Sequence, residues 1–241
     1  INPAFGVAWD IAPGIYGTDL AEDYELTERI GLGGSVTLGN DETGLHTITA
    51  STFFADTSFL SESLITERPR NRKSSGGVSN TEDFSSFAVA LDGDLGIVVP
   101  GLAYHLGFES QEGGTGNPED EFGIAAALYG EFEIGEDTVL GPVVEYVHQS
   151  DAGGIAEDRD YITLGAALVH GPWNIAVSDT IRTIDPAGAG DVDDNQFQVS
   201  GGYAFDNGLA LDIGYKHTEE SNSDSNTVGA LLTYTLPFSA P

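Results

Sequence analysis

The sequence contains no cysteine and no methionine among its 241 residues, and only eight lysine and arginine residues. The absence of cysteine excludes disulfide scaffolds, thiolate zinc sites, iron–sulfur clusters and cysteine nucleophiles. Because 39 aspartate and glutamate residues outnumber the cations, the net charge is −31, and nucleic acid, which needs clustered cations, is not an expected partner. No apolar run approaches the roughly 18 to 20 residues of a membrane-spanning helix, so helical membrane spans are not expected.

Apolar residues recur at every second position through most of the chain. In the last such segment, one face carries Val228, Ala230, Leu232, Tyr234, Leu236 and Phe238, and the other carries Thr227, Gly229, Leu231, Thr233 and Thr235. Successive side chains of a strand point to opposite faces, so the pattern predicts strands with one apolar face and one small or polar face. No helical spacing is sustained. The sequence therefore predicts an all-β fold in a single domain, residues 1–241.

Twelve segments follow this alternation and are predicted to be strands. They span residues 3–11, 27–38, 44–57, 83–92, 96–109, 121–134, 138–149, 160–170, 173–184, 195–205, 208–218 and 226–238. Strands of soluble sandwiches usually have about five or six residues, whereas a tilted strand that crosses a membrane needs about 9 to 11. The lengths of the segments favour membrane-spanning strands.

The predicted connections alternate between short and long. The long ones span residues 12–26, 58–82, 110–120, 150–159, 185–194 and 219–225, and the short ones include the hairpin signals Asp92-Gly93 and Asn207-Gly208. Long loops at one end and short turns at the other are the layout of a transmembrane antiparallel up-and-down β-barrel. An even number of strands would place both termini at the end with short turns. The alternative, a soluble Greek-key sandwich, predicts no such alternation.

Aromatic residues lie towards the ends of the predicted strands, on their apolar faces. They are Phe5, Trp9, Phe84, Phe122, Tyr146, Tyr161, Trp173, Phe205, Tyr215 and Phe238. Rings in these positions form the girdles of transmembrane barrels at the membrane interfaces. Aromatic residues also favour strands in general, so both explanations stay open. Pro142 cannot donate a hydrogen bond within the seventh predicted strand, and a β-bulge would accommodate it there.

In its architecture the sequence resembles the outer-membrane porins of Gram-negative bacteria. The resemblance rests on the amphipathic strands, the loop asymmetry and the near-terminal strand Gly229-Ala230-Leu231-Leu232-Thr233-Tyr234-Thr235-Leu236-Pro237-Phe238. It implies an outer-membrane barrel, without cofactor, through which ions and small hydrophilic solutes diffuse passively. The barrel would have about 12 strands, or belong to a 16-stranded porin whose first strands are missing, and a homotrimer is implied. A non-conducting barrel that anchors the envelope and a soluble acidic β-sandwich that acts as a binding module are the alternatives.

Four of the eight basic residues form a cluster, Arg68-Pro69-Arg70-Asn71-Arg72-Lys73, in the longest predicted loop, 58–82. The resemblance implies that this loop folds into the pore and that Arg68, Arg70, Arg72 and Lys73 constrict it. Opposed charges at a narrow point would then set the ion preference. A solvated loop tip that contacts anionic lipid headgroups or its own acidic neighbours is the alternative.

The alternation also predicts which charged residues of the strands face the lumen and are candidates for selectivity. They are Arg29, Arg182, Lys216, Asp10, Glu109, Glu131, Glu133, Glu145 and Asp212. Their carboxylates favour a weak cation preference, whereas the clustered arginines favour local affinity for anions.

Many of the remaining acidic residues lie in the predicted long loops. Acidic outer loops can share divalent cations with lipopolysaccharide, so lipopolysaccharide, outer-membrane lipid and loosely bound Ca²⁺ are expected partners. Asp185, Asp191, Asp193 and Asp194 do not have the spacing of an EF-hand loop, and a solvated acidic loop is the simpler interpretation. No dedicated metal site is predicted.

An enzymatic function has little support in the sequence. None of the five histidines lies in an HExxH motif, and no serine lies in a G-x-S-x-G elbow. His148 and Ser150 are two positions apart at the end of a predicted strand, so their side chains share one face. A hydrolase would rest on this pair alone. An interfacial histidine beside a loop serine is the simpler interpretation, and the sequence predicts no enzyme.

Overall fold

The computed structural model describes residues 1–40, 42–63, 68–221 and 223–236, and twelve antiparallel strands within these residues form one sheet. The strands are β1 (Arg29–Asn40), β2 (Gly44–Ala55), β3 (Ser86–Asp94), β4 (Leu102–Gln111), β5 (Glu121–Gly130), β6 (Phe132–Gly135), β7 (Thr138–Ser150), β8 (Glu157–His170), β9 (Trp173–Pro186), β10 (Val192–Ala204), β11 (Leu209–Glu220) and β12 (Ser223–Tyr234). Each long strand pairs with the next along the chain, and the short β6 pairs only with β7. This order is that of a meander and not of a Greek key. The predicted all-β class is confirmed.

Helical structure is a minor part of the described residues. It comprises one helix, α1 (Ala8–Ile11), and 3₁₀ turns at Ala21–Tyr24, Phe59–Ser61, Lys73–Ser75 and Ala152–Gly154. No helix in this part of the chain has the length and apolar character needed to cross a membrane.

Residues 1–28, here called the interior segment, differ most from the prediction. Residues 3–11 are not a strand and residues 12–26 are not an outer loop; instead, the segment packs against one face of the sheet. Phe5 and Ala8 are fully buried in this packing. The amide N–H groups of Val7 and Ala8 bind the Glu145 carboxylate of β7 rather than a neighbouring strand. A local alternation of nine residues could not reveal this, because the partner is distant in sequence.

The interior segment contacts both edges of the sheet. A Cβ atom added to Gly31 of β1 would lie 2.6 Å from Ile1 Cδ1, and one added to Gly229 of β12 would lie 2.0 Å from the Tyr16 hydroxyl. The sheet therefore curves around the segment, and the face that holds it is here called the concave face. Within the described residues, β1 and β12 are not paired with each other, so the sheet is open between them.

The two longest connections, between β2 and β3 and between β4 and β5, lie at the end of the sheet where β1 begins, here called the upper end. The predicted long loop 219–225 is wrong, because β11 ends at Glu220 and β12 begins at Ser223. The amino group of Ile1 donates a 2.7 Å hydrogen bond to the carbonyl of Arg29, the first residue of β1. The prediction that both termini lie at the end with short turns is thus wrong for Ile1. Because residues 3–11 do not form a strand, the first and last strands both run from the upper to the lower end.

The predicted strand 121–134 is broken at Glu131, between β5 and β6. Tyr129 pairs with Val143 and Phe132 with Leu140, so the break lies opposite Pro142. On its other side Pro142 stays in register with Ala166 of β8. Because proline has no N–H to donate, the interruption occurs in the partner strand. The irregularity expected at this position is therefore found in β5–β6 and not as a bulge in β7.

Two further predicted strand boundaries shift. The predicted strand 96–109 begins only at Leu102, because the amides of Val98 and Val99 bind the carbonyl of Leu95 in a compact turn. The last predicted strand, 226–238, is observed as Ser223–Tyr234. Its final residues, Pro237 and Phe238, lie outside the described residues.

The other face of the sheet, here called the outward face, is apolar along its whole width. Exposed representatives, one for each long strand, are Ile30, Ile48, Phe87, Leu106, Ile124, Val144, Ile162, Ile175, Val199, Ile213 and Val228. Of the predicted girdle, Phe84, Phe122, Tyr146, Trp173, Phe205 and Tyr215 are exposed. Phe5 and Tyr161 are wrong predictions, because both are buried on the concave side, and Trp9 packs beside them. Phe238 lies outside the described residues.

Candidate functional site

The concave face is polar, which is the reverse of an ordinary soluble core. Its buried polar residues include Glu109, Gln111, Glu121, Glu145, Gln149, Thr163, Ser178, Thr180, Arg182, Asp194, Gln196, Gln198 and Ser200. Buried polar groups are costly unless they are hydrogen-bonded. The groups that satisfy them come partly from neighbouring strands and partly from the interior segment. This filled interior is the candidate functional site.

Glu145 of β7 is the main attachment point of the interior segment. Its carboxylate accepts hydrogen bonds from the Val7 amide at 2.6 Å, the Ala8 amide at 3.0 Å and the Tyr24 hydroxyl at 2.6 Å. The first N–H groups of a helix have no partner within it, and Glu145 satisfies two such groups at the start of α1. Glu145 therefore holds two separate parts of the interior segment, because Ala8 begins α1 and Tyr24 ends the 3₁₀ turn that follows it.

An aromatic cluster fills the space between the segment and the sheet. Tyr24 packs edge-on against Tyr161 of β8, with ring centroids 5.0 Å apart, and against Phe5 at 6.4 Å. Phe5 approaches the wall closely at Gly123, where an added Cβ would lie 2.6 Å from the ring. Burial raises the pKa of the Tyr24 hydroxyl well above its usual value, and the nearby Glu145 carboxylate raises it further.

Arg182 of β9 is a second attachment point. Its guanidinium donates to Asp194 of β10 at 2.6 Å and to Glu220 of β11 at 2.8 Å, and it also binds Asp23 of the interior segment. Arg182 and Asp194 are both buried. Arg182 does face the interior as predicted, but its charge is matched by three carboxylates.

The remaining contacts bind the middle of the segment to the strands near the other edge. Lys216 of β11 donates a 2.5 Å hydrogen bond to Asp19, and its ammonium lies 5.1 Å from the centre of the Tyr16 ring. Gln196 donates to the carbonyl of Tyr16 at 2.8 Å, and the neighbouring Gln198 binds the carbonyl of Pro13 at 2.7 Å. The interior segment is thus hydrogen-bonded to β7, β9, β10 and β11.

Glu109 of β4 and Glu121 of β5 form a pair of buried carboxylates towards the upper end of the sheet. The side-chain amide of Gln111 donates to Glu109 at 3.0 Å and to Glu121 at 2.5 Å, and Gln149 donates to Glu109 at 3.0 Å. Arg29 reaches Gln111 at 3.2 Å and so faces the interior as predicted. Glu109 also faces the interior. Glu121 was not among the predicted lumen residues, although it has the same parity as Glu131 and Glu133 in the predicted strand 121–134.

Two cavities flank the interior segment. The upper one, of about 180 Å³, is lined by residues that include Asp23, Glu25, Arg29, Val78, Glu121 and Arg159. The lower one, of about 970 Å³, opens between Ile11 and Pro13 of the segment and the lower ends of β4, β5, β7 and β8. Both cavities carry acidic side chains, with Glu131 and Asp94 in the lower one.

The basic cluster 68–73 lies at the upper rim and is exposed. Arg68 pairs with Glu28 at 2.6 Å, Arg70 donates to the carbonyl of Thr57, and Lys73 donates to the carbonyl of Thr81. Arg72 is also exposed. Residues 78–81 are the inward part of the loop: Ser79, Asn80 and Thr81 are buried, and Val78 lines the upper cavity. Residues 64–67 of the predicted loop 58–82 lie outside the described residues.

Within the described residues, the other four predicted lumen residues, Asp10, Glu131, Glu133 and Asp212, make no hydrogen bond or ion pair with the interior carboxylates or with Arg182. Asp10 is exposed on α1 and not on a strand, because residues 3–11 belong to the interior segment. Glu131 lies at the break between β5 and β6, and Glu133 is exposed on β6 at the lower end. Asp212 of β11 accepts a 3.0 Å hydrogen bond from Asn174. The role of these residues in selectivity stays a prediction.

No model of a protein family matches this sequence, and no significantly similar characterised protein is found. In the described part of the chain, no group of three or more histidine, aspartate or glutamate residues is arranged to hold a metal ion. The loosely bound Ca²⁺ expected at the acidic loops stays a prediction.

Proposed function

We infer that the chain is an outer-membrane β-barrel of the porin type that passes ions and small hydrophilic solutes, with the interior segment as its constriction. The observation that carries this proposal is the sidedness of the sheet: every long strand exposes large apolar residues outward, and the central strands β4, β5, β7, β8, β9 and β10 bury polar residues inward. A soluble protein rarely exposes more than a few hundred Å² of contiguous apolar surface. The hydrocarbon of a membrane is the environment in which such an apolar outward face is stable.

The distribution of the connections supports the same proposal. The two longest connections, between β2 and β3 and between β4 and β5, both lie at the upper end, as in outer-membrane barrels with short periplasmic turns. The connection from β11 to β12 departs from this pattern, because β12 begins at Ser223, shortly after β11 ends at Glu220. Closure of the sheet into a barrel belongs to the proposal as well. The interior segment already contacts both β1 and β12, which brings the two edges around one centre.

The interior segment, rather than the basic cluster, is the constriction in this proposal. It lies between the upper and lower cavities and is attached to the wall through Glu145 and Arg182. Because Arg182 and Lys216 are paired with carboxylates and Arg29 binds Gln111, the remaining acidic groups set the local field. A weak preference for cations is therefore expected.

The experiment is a planar-bilayer recording of the detergent-folded chain under a KCl gradient. Discrete current steps with a reversal potential on the cation side are expected. Folding in buffer without detergent, as a stable monomer, would contradict the membrane placement.

A non-conducting barrel that anchors the envelope is a second candidate. It is favoured by the number of polar contacts that hold the interior segment, which fills the space between the two cavities. Bilayer recordings of the wild type and of Glu145→Ala distinguish the two candidates. A folded, inserted wild-type chain that carries no current, together with a conducting Glu145→Ala variant, would establish the plugged barrel and contradict the open channel.

A further inference from the structure

His148 and Ser150 occupy the outward face at the upper end of β7, and the structure adds a third residue to them. His148 Nδ1 lies 3.0 Å from Asp160 Oδ1, and His148 Nε2 lies 3.2 Å from Ser150 Oγ. Asp160 stands directly opposite His148 in the register of β7 and β8. Ser150 as a nucleophile, His148 as a base and Asp160 as an orienting carboxylate are thus connected by two successive hydrogen bonds.

The surroundings of this outer triad, Ser150, His148 and Asp160, are accessible and amphipathic. The side chains of His148 and Asp160 are 30% and 40% exposed, so a substrate can reach them. On β5 the cross-strand neighbours of Ser150 and His148 are Phe122 and Ile124, which are both exposed. Below the triad, an apolar strip continues through exposed Ile162 and Leu164 of β8.

We propose that Ser150, His148 and Asp160 form a serine-hydrolase triad that cleaves acyl esters of membrane lipids at the interface. The polar triad would face the ester group while the apolar strip holds the acyl chain. The choice of lipid as substrate rests on the proposed membrane placement, whereas the triad geometry does not.

The chemistry needs no cofactor. Ser150 Oγ attacks the ester carbonyl carbon while its proton passes to His148 Nε2, and Asp160 holds Nδ1–H and stabilises the imidazolium. The bond from the carbonyl carbon to the alcohol oxygen then breaks, and His148 gives its proton to the leaving alcohol. Water, deprotonated by His148, next attacks the acyl-serine. The fatty acid leaves and Ser150 recovers its proton.

The chain holds a natural comparison site at β11 and β12. There, Tyr215 and His217 share the acceptor Asn226 at 2.6 and 3.1 Å, just as Tyr146 and His148 share Asp160 at 2.6 and 3.0 Å. The position two residues after the histidine is Glu219, not serine. An interfacial anchor would need only the tyrosine, the histidine and the acceptor. The serine distinguishes the outer triad from this second site.

The test uses the full chain folded in detergent micelles and treated with a fluorophosphonate probe, which reacts with activated serines. We expect mass spectrometry to locate the adduct on Ser150, and Ser150→Ala and His148→Ala to remove it. Ser110→Ala is the matched control, because Ser110 faces outward at the same level and is separated from Ser150 only by Phe122. Absence of an adduct on Ser150 in the folded wild type would overturn the triad.

Turnover is measured in mixed micelles with a phosphatidylcholine that carries a fluorescent acyl chain, and in parallel with a short-chain p-nitrophenyl ester. Ser150→Ala should abolish both activities and leave conductance unchanged. Cleavage of the soluble ester alone would overturn the lipid substrate. A wild-type chain that conducts but cleaves neither ester would contradict only the triad, whereas a wild-type chain that cleaves both esters but carries no current would contradict only the channel.

Asp160 is a positioning residue, and pH dependence tests its role. Asp160→Asn should lower kcat/KM by up to roughly 10⁴-fold and move the acid limb of the rate profile to lower pH. The reason is that an amide stabilises the imidazolium of His148 less than a carboxylate does. The polar groups that surround Asp160 on this surface include Tyr146, which binds it, and Asp158, which binds the amide of Asp151. On β9, Thr183 stands opposite Asp160 and donates to Asp193, and Asp185 stands opposite Asp158. An unshifted acid limb in Asp160→Asn would contradict this role.

Discussion

The hydroxyl of Tyr24 donates a 2.6 Å hydrogen bond to Glu145, and this contact joins the end of the interior segment to the middle of the sheet. Both residues are almost completely buried. Because the same carboxylate also binds the amides of Val7 and Ala8, the conformation of the segment depends on one wall residue.

The Tyr24 contact predicts a loss of stability in alkali. Burial, and then the Glu145 carboxylate, raise the pKa of Tyr24 in the folded protein, whereas an unfolded tyrosine ionises near pH 10. A raised pKa favours folding while the phenol stays protonated, so this stabilisation is present below about pH 10 and is lost as the pH rises further. Denaturant titrations between pH 7 and pH 11 should therefore show a steeper decline for the wild type than for Tyr24→Phe.

At neutral pH, Tyr24→Phe should lower the free energy of unfolding by about 1.5 to 3 kcal/mol, the usual range for a hydrogen bond to a charged group. Tyr203→Phe is the control, since Tyr203 packs against Trp173 and Phe205 on the outward face. Equal alkaline slopes for Tyr24→Phe and the wild type would contradict the prediction.

Removal of the Glu145 carboxylate is expected to release the interior segment. Glu145→Ala leaves two amides and one hydroxyl without a partner in a buried place, and each such group costs about 1 to 3 kcal/mol. Single-channel conductance should therefore rise, and residues 1–28 should become sensitive to protease. Glu133→Ala, which alters an exposed carboxylate of β6, is the control. Unchanged conductance and unchanged cleavage in Glu145→Ala would argue against a displaceable constriction.

Arg182 should contribute much more to stability than Arg159. Arg182→Ala leaves Asp194 as a buried carboxylate without its cation, which costs about 3 to 5 kcal/mol. Arg159 pairs with Glu157 at 2.7 Å in a more exposed position, so Arg159→Ala should cost less than about 1 kcal/mol. Urea unfolding of the two variants in the same detergent provides the comparison. Similar losses of unfolding free energy in the two variants would contradict the prediction that burial determines how much each ion pair stabilises the fold.

The basic cluster should have a moderate effect on ion preference that depends on salt. Replacement of Arg68, Arg70, Arg72 and Lys73 by glutamine should move the reversal potential towards cations, because these side chains lie at the upper rim. The Debye length falls from about 10 Å at 0.1 M salt to about 3 Å at 1 M, so the shift should shrink at high salt. A shift that persists at 1 M would indicate a basic constriction inside the pore, as the family resemblance implies.

Alternation predicted the side-chain directions of the true strands correctly. Glu109, Glu145 and Arg182 face inward, and Ile124 and Ile213 face outward, because the two-residue period is a local property of the backbone. The same reasoning failed at Asp10 and Phe5. Their short alternating stretch satisfies its backbone groups through residues more than a hundred positions away.

The outer triad shows the same limit. The sequence places His148 and Ser150 on one face, since they are two residues apart on a strand. Asp160 lies on the next strand, beyond a loop, and only the register of β7 and β8 brings it opposite His148. A shift of one residue would turn its carboxylate to the other face of the sheet.

By itself, the sequence determined the all-β class and the two chemically different faces, because these features follow from local periodicity. Only the tertiary structure decided that residues 1–28 fill the concave side, that Glu145 and Arg182 hold them, and that Asp160 completes the outer triad. Those contacts join residues distant along the chain. Their energy depends on register, curvature and burial, which exist only in the folded sheet.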